Sequence, residues 1–153
     1  IVAIGELFED AVRKHKLSFD ADLVLSSHTL EHIKDPKAVV KSLLDSATDR
    51  TYFAFQFPGL ESLVNDARFD QVFHQHYNYF TLKSVIHMLA ELGAELIAFK
   101  VNPHHWGALM FVFKKRVLRA VFENGIGTNV YTQVTSLVFV LLNADFPTAN
   151  FCD

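Results

Sequence analysis

The stretch DLVLSSHTLEHIKDP, residues 22–36, carries the strongest fold signal of this chain. It opens with an apolar run at residues 23–25, which is typical of a buried strand. Two serines follow, and then a polar turn that holds two histidines and a glutamate. Asp35 and Pro36 form a helix start, with Asp35 as the N-cap and Pro36 at the first helical position. The stretch therefore predicts strand, loop and helix, with polar side chains at the strand's carboxyl end, where open α/β sheets bind ligands.

The rest of the chain alternates strand and helix patterns. Helical apolar stripes occur at residues 6–16, after Pro36, and after Thr81, which is a candidate helix cap followed by Gly93 as the C′ residue. Further strands are predicted at residues 1–5, 52–55, 95–101 and 108–113. The last two strands are separated by a short turn, so they should pair antiparallel. The pattern predicts an α/β fold whose parallel sheet has one antiparallel strand at the end.

Composition excludes several classes of protein. The chain has 153 residues, of which 50% are hydrophobic and 15 are Phe, enough for one domain with its own core. The formal net charge of −3 argues against a nucleic-acid binder that depends on phosphate contacts. One cysteine, Cys152, excludes an internal disulfide and suits a reducing compartment. No apolar run approaches the roughly 20 residues that span a bilayer, and no signal peptide is evident, so we expect a cytoplasmic protein.

The central stretch resembles the fourth strand and following loop of class I S-adenosyl-L-methionine (SAM) dependent methyltransferases, with the pattern fDlVl.s.tLEHi.dP. The resemblance covers residues 1–115, a partial domain, and leaves residues 116–153 unassigned. It implies the C-terminal part of a Rossmann-like methyltransferase sheet and SAM as the cofactor. The first strands and the glycine-rich SAM loop of the family are missing, and the chain begins without Met inside a strand pattern. We therefore expect a fragment that cannot bind SAM tightly alone and is inactive alone.

The remaining cofactor-side candidates lie in loops at strand ends. By the resemblance, Gly5 and Glu6 would lie near the adenine of SAM. Ser26, Ser27 and His28 would lie beside its methionine part. These residues define the predicted edge of a cofactor site.

Residues 69–80, FDQVFHQHYNYF, resemble the yHEHlsYFs stretch of sugar C-methyltransferases in deoxysugar and surface-polysaccharide biosynthesis. By that resemblance His76 holds the position of the catalytic base, and imidazole suits that role because its ordinary pKa lies near neutrality. His32, with help from His74 or Gln75, is expected to stabilise negative charge on the acceptor oxygen. Gln75 stands where the family has Glu, so it carries no charge.

The acceptor is expected to be a small molecule, a nucleotide-linked sugar. Phe73 stands where the family often has Tyr, and residues 102–108, NPHHWGA, resemble a family hairpin in which Gly107 permits a tight turn. The side chains predicted to line the substrate pocket are Phe73, Tyr79, His105 and Trp106. The sequence does not distinguish carbon from oxygen or nitrogen methylation, and it indicates no oligomeric state.

Two other functions stay open. The chain could be a non-catalytic α/β module that binds a partner through exposed aromatic side chains. It could also be a zinc hydrolase, because His28, Glu31 and His32 fit the H-x-x-E-H pattern of a metalloprotease family. That mechanism needs both histidines on one face of a long helix, whereas a strand pattern ends directly before His28. The sequence offers no Cys, Asp or Glu ligand set at metal spacing, so no metal site is predicted, although a site combining the histidine clusters is conceivable.

Overall fold

A computed structural model describes residue 10 and residues 20–103 and 107–117. This part of the chain contains the elements β1 (Leu23–Ser27), α1 (Pro36–Ser46), β2 (Tyr52–Pro58), α2 (Leu60–Asn65), α3 (Leu82–Glu91), β3 (Ala94–Asn102) and β4 (Ala108–Lys115). Short 3-10 turns lie at Leu30–His32 and Phe69–Gln71. The strand predicted at residues 1–5 lies outside the described residues. Of the helix predicted at 6–16 only Asp10 is described, and it is helical.

The four strands form one mixed sheet in the order β1-β2-β4-β3. β1 pairs parallel with β2, and β4 pairs antiparallel with both β2 and β3. β1, β2 and β3 therefore run in one direction and β4 runs against them, which confirms the predicted fold class. β4, the last of these strands in chain order, lies inside the sheet between β2 and β3. Local sequence does not indicate that insertion, because it depends on which strand edges remain to be paired.

Side chains and backbone at the helix ends confirm the predicted caps. The Asp35 carboxylate accepts a hydrogen bond of 3.0 Å from the Ala38 N–H. Thr81 and Ser84 form a reciprocal capping box at the start of α3. Gly93 follows that helix with a φ of +69°, the left-handed conformation that glycine adopts without steric cost. Within the described residues, no helix has both the length and the apolar character to cross a membrane.

The core lies where phenylalanines of neighbouring strands meet. Alternate residues of β2, Phe53, Phe55 and Phe57, are buried, as strand periodicity requires. They pack against Phe111 and Phe113 of β4, and the rings of Phe53 and Phe113 stack with centroids 4.9 Å apart. The buried stripe of α1 completes this core with Val39, Val40, Leu43 and Leu44. The packed sheet gives a rigid platform for the loops at its carboxyl edge.

Residues 60–80 connect β2 to α3 and include α2. Phe80 ends this segment and is anchored to the core, with its ring centroid 4.6 Å from that of Phe57. The Leu60 N–H donates a hydrogen bond of 2.8 Å to the Phe80 carbonyl. Gly107 has a φ of +83°, and a Cβ there would lie 2.3 Å from the Cβ of Ser62. Glycine is therefore required at this turn, both for its conformation and for its lack of a side chain.

Candidate active site

A polar site lies at the carboxyl ends of β1 and β2. β1 ends at Ser27, and the chain turns at His28, whose φ of +50° is unusual for a residue with a side chain. The His28 N–H donates a hydrogen bond of 2.8 Å to the Gln56 carbonyl of β2. The 3-10 turn Leu30–His32 follows and includes Glu31. The chain thus places two histidines and a carboxylate at the sheet edge that binds ligands in α/β proteins.

The loop at residues 72–79 is fastened to this turn by three hydrogen bonds. The Nδ1 of His32 bonds the Gln75 carbonyl at 3.0 Å, across a separation of 43 residues. The Asn78 N–H donates to the Glu31 carbonyl at 3.1 Å. The Asn78 side-chain amide donates to the Ile33 carbonyl at 2.6 Å. Most of the groups in these hydrogen bonds belong to the backbone. Because every residue carries such groups, no sequence motif reveals these contacts.

His76 lies in the middle of this loop and is partly buried among rings. Its ring centroid is 4.0 Å from that of Phe73, 4.8 Å from that of His32 and 6.0 Å from that of Tyr79. Its Nδ1 bonds the Gln71 carbonyl at 3.0 Å. The predicted base, the predicted oxyanion-stabilising histidine and two predicted pocket residues therefore come together in one place.

The surroundings of His76 lower its pKa from the ordinary value of an imidazole. Burial of the ring is the largest cause, and repulsion from His32 adds to it. The Gln71 carbonyl and the Glu31 carboxylate act in the opposite direction but do not cancel the effect. At neutral pH the ring is therefore mainly uncharged, which is the form that can accept a proton.

Hydrogen bonding also fixes the tautomers of His32 and His76. Each ring has its Nδ1 against a backbone carbonyl, of Gln75 and of Gln71 respectively. A carbonyl oxygen can only accept, so Nδ1 carries the proton in both rings. In the neutral rings the lone pair is then on Nε2. Both rings are consequently arranged to act through Nε2.

Glu31 is a site residue that the family resemblance did not select. The residue is 2% exposed, and within the described part of the chain neither carboxylate oxygen has a hydrogen-bond partner. The nearest charged or titratable groups are His28 Nδ1 at 3.4 Å and His32 Nε2 at 3.9 Å from Oε1. A buried carboxylate without hydrogen bonds is costly, which makes it a sign of function rather than of stability. The sequence signals were its place in the LEH of the family pattern and its position within H-x-x-E-H.

The other predicted site residues occupy varied environments. The side chain of His74 is exposed at a turn, and Gln75 contributes its backbone carbonyl to the cluster. At the end of β1, Ser26 is buried, Ser27 is exposed and His28 is partly exposed. The remaining predicted site residues lie outside the described residues: Gly5, Glu6, His105 and Trp106.

The arrangement does not resemble the scaffold that a helical H-x-x-E-H zinc site needs. The 3-10 turn spans only Leu30–His32, and His28 precedes it in the left-handed conformation. His28 and His32 therefore do not lie one turn apart on a single helix. The geometry disfavours the hydrolase alternative.

Comparison with known proteins identifies what this chain is similar to. A family model described as a methyltransferase domain matches residues 4–98. The chain is 26% identical over 106 residues to the C-methyltransferase NovU of Streptomyces niveus, a match that covers 69% of this chain and 24% of that protein. The chain thus spans about a quarter of the length of this curated relative.

Solved structures share the fold at low sequence identity. Magnesium protoporphyrin IX methyltransferase from Synechocystis PCC 6803, with bound SAH, matches 65% of this chain and 47% of its own at a TM-score of 0.50 and 12% identity. The O-methyltransferase NcsB1 of neocarzinostatin biosynthesis, in complex with SAM and 2-hydroxy-5-methyl naphthoic acid, matches 74% of this chain and 33% of its own, with a TM-score of 0.52 and 11% identity. The mitomycin 7-O-methyltransferase MmcR matches the same shares, with a TM-score of 0.53 and 12% identity.

Proposed function

The chain belongs to the methyltransferase domain family, and on that premise we propose that the complete protein transfers a methyl group from SAM to a carbon atom of a nucleotide-linked sugar. The observation that carries the proposal is His76, a half-buried imidazole beside His32 at the carboxyl edge of the sheet. The similarity to a C-methyltransferase and the yHEHlsYFs resemblance support carbon methylation of a sugar.

The described residues fit one side of a SAM site. Ser27 at the end of β1 and His28 directly after it offer an exposed hydroxyl and a partly exposed imidazole, which suit the polar methionine part of the cofactor, whereas Ser26 is buried beside them. Gly5 and Glu6 are proposed for the adenine side. When bound, SAM supplies a methyl group activated by a positively charged sulfur. This chain's part in that binding is to present polar groups at the sheet edge.

His76 is proposed to remove the proton that activates the acceptor. For a keto sugar this proton lies on the carbon next to the carbonyl, and it passes to Nε2 of His76 as the C–H bond breaks. The resulting carbanion, stabilised as the enolate, would be the nucleophile for the methyl group that bound SAM would supply, with the sulfur as leaving group. The rings of Phe73 and Tyr79 beside His76 exclude water on that side and help to orient the sugar.

His32 is proposed to stabilise the enolate oxygen. Its Nδ1 proton is engaged by the Gln75 carbonyl, so the ring can donate to the acceptor only from Nε2, in the protonated form. The Glu31 carboxylate lies on that side of the ring, 3.9 Å from Nε2. The Gln75 carbonyl fixes the direction of that donor, as stabilisation of a developing oxyanion requires. His74 or Gln75 is proposed to assist from the same loop.

The full-length protein tests the role of His76 directly. We expect His76→Ala to lower turnover by about 10²-fold or more, the usual contribution of a general base, while SAM affinity measured by calorimetry stays unchanged. The same variant should lose the exchange of solvent deuterium into the carbon next to the carbonyl of the keto sugar. His87→Ala removes an exposed histidine on α3 and serves as the matched control. Unchanged turnover and exchange in His76→Ala would reject the proposed base.

A further inference from the structure

We propose that Glu31, His32 and His76 together bind one divalent transition-metal ion of the Zn²⁺ type, and that the bound ion withdraws His76 from proton transfer. The metal site is argued from the described geometry alone. Its inhibitory consequence rests on the proposed function, because it requires His76 to be the base.

The positions of the three side chains suit a shared ion. One ligand atom from each residue lies within 4.8 Å of the other two. Glu31 Oε1 and His32 Nε2 are 3.9 Å apart, which is too long for a hydrogen bond. Two atoms that each lie about 2.1 Å from one zinc ion can be at most about 4.2 Å apart. The separation of Glu31 Oε1 and His32 Nε2 lies within that limit, and the His76 nitrogen would move closer to complete the site.

The charges at the cluster also call for a cation. Glu31 is buried, and within the described residues its two oxygens have no hydrogen-bond donor. In the neutral tautomer His32 directs its Nε2 lone pair toward the side where that carboxylate lies. A lone pair and a carboxylate that face each other repel unless a proton or a metal ion lies between them. At 3.9 Å a metal ion bridges the two groups better than a proton does.

Two backbone carbonyls provide the outer support that metal-binding histidines need. The Gln75 carbonyl bonds Nδ1 of His32 and the Gln71 carbonyl bonds Nδ1 of His76, which fixes the ring orientations and the tautomers.

The nearby His28 has a different role. The Gln56 side-chain amide nitrogen lies 3.3 Å from His28 Nε2, so Nε2 is engaged by Gln56, and Nδ1 lies 3.4 Å from Glu31 Oε1 without forming a hydrogen bond to it. We therefore assign His28 as a neighbour of the carboxylate and not as a ligand.

The ligand set indicates the class of metal. Two imidazoles and one carboxylate suit zinc and neighbouring first-row ions, whereas magnesium and calcium prefer oxygen ligands. Coordination uses Nε2 of His76, the same atom that would take the proton from the substrate. Metal binding and general-base catalysis at this ring therefore exclude each other.

Zinc titration of the purified, metal-free chain tests the site without an activity assay. We expect one equivalent of Zn²⁺ by calorimetry, and Co²⁺ absorption bands typical of four or five ligands. Glu31→Gln and His76→Ala should each weaken zinc binding at least tenfold, as loss of a ligand does. His87→Ala, which removes an exposed imidazole 3.8 Å from Glu91, should leave binding unchanged. Circular dichroism of each variant confirms that the fold is kept, and His76→Gln replaces His76→Ala if that variant unfolds.

Two results would overturn the site: absence of one-to-one zinc binding, or equal zinc affinity in the wild type and Glu31→Gln. Binding that disappears in His87→Ala would assign the zinc to the surface of α3 and would overturn it as well. The inhibitory role is tested on the full-length protein, where stoichiometric Zn²⁺ should stop methyl transfer and a chelator should restore it. Zinc bound at the cluster without any effect on methyl transfer would leave the metal site standing and reject His76 as the base. The two proposals can therefore fail separately.

Discussion

The aromatic core of the sheet and the histidine cluster at its edge are built on opposite principles. Phe53, Phe55 and Phe113 are almost fully buried and touch one another ring to ring, so several apolar contacts stabilise each side chain. Glu31 is equally buried, but no hydrogen bond within the described residues compensates its charge. The core lowers the free energy of folding, whereas the cluster raises it.

This difference indicates that the function is located at the histidine cluster and not in the core. A buried carboxylate of this kind persists only if the surrounding structure holds it in place, and the packed sheet beneath it does so. The three hydrogen bonds between the turn at residues 31–33 and the loop at 75–78 are few compared with the contacts of the core. Four substitutions test this contrast, and the size of their expected effect on stability decreases from Phe113→Ala to Asn78→Ala.

Phe113→Ala should have the largest effect. Its ring is fully buried and contacts Phe53, Phe55 and Phe111, so its removal leaves a cavity in the core. We expect a loss of about 3–5 kcal/mol in the free energy of unfolding, measured by urea denaturation. Phe69→Ala is the control, because that ring is 71% exposed. Similar losses in the two variants would show that the core does not dominate stability.

Gly107→Ala should come next. The left-handed conformation costs an L-residue about 1–2 kcal/mol, and the contact with Ser62 adds an overpacking cost of about 1–3 kcal/mol. Gly93→Ala is a matched control, because Gly93 has a φ of +69° but a Cβ there meets no atom within 4 Å. The difference between the two variants in urea denaturation measures the contact with Ser62. Equal losses of stability in the two variants would mean that α2 shifts to make room for the added methyl group.

Glu31→Gln should change stability in the opposite direction. Removing a buried carboxylate that forms no hydrogen bond is expected to raise the free energy of unfolding by about 1–2 kcal/mol at pH 7. Glu95→Gln is the control, because its carboxylate is partly exposed 3.5 Å from Lys114 and such pairs contribute about 0–1 kcal/mol. A clear loss of stability in Glu31→Gln would show that the carboxylate stabilises the fold, which would remove the contrast between core and cluster.

Asn78→Ala should have the smallest effect on stability and a specific effect on the loop. It removes the hydrogen bond from the side chain to the Ile33 carbonyl, which is worth about 1 kcal/mol. We expect faster amide hydrogen exchange at His76, whose N–H bonds the Phe73 carbonyl, while exchange in β2 stays unchanged. Asn65→Ala, at an exposed position at the end of α2, is the control. Unchanged exchange at His76 would mean that the loop does not depend on Asn78.

Much of the described fold follows from local sequence. Asp35 caps α1 and Thr81 caps α3 because the capping groups and the helix N–H groups they satisfy lie within three residues of each other. The buried alternation of β2 is likewise a property of neighbouring residues. Helix α2 was missed, because its six residues are too short to show a clear helical period.

The candidate site was predicted only in part. His32 and His76 were each selected by resemblance, but nothing in the sequence showed that they lie in ring contact. Glu31 was given a chemical role only in the zinc-hydrolase alternative, yet it is buried without a hydrogen bond to either carboxylate oxygen within the described residues. The role of Gln75 could not be read from its side chain, because the loop is held by its backbone carbonyl, a group that every residue has.

Sequence by itself determined the strand, turn and helix of residues 22–36, the helix caps and the apolar faces, because these depend on interactions within a few residues. Tertiary structure alone decided that β4 lies between β2 and β3, and that a histidine 45 positions after Glu31 comes within ligand distance of its carboxylate. The physical reason is that strand order and loop docking are set by long-range packing and backbone hydrogen bonds. These minimise the free energy of the whole domain and leave no periodic pattern in the chain.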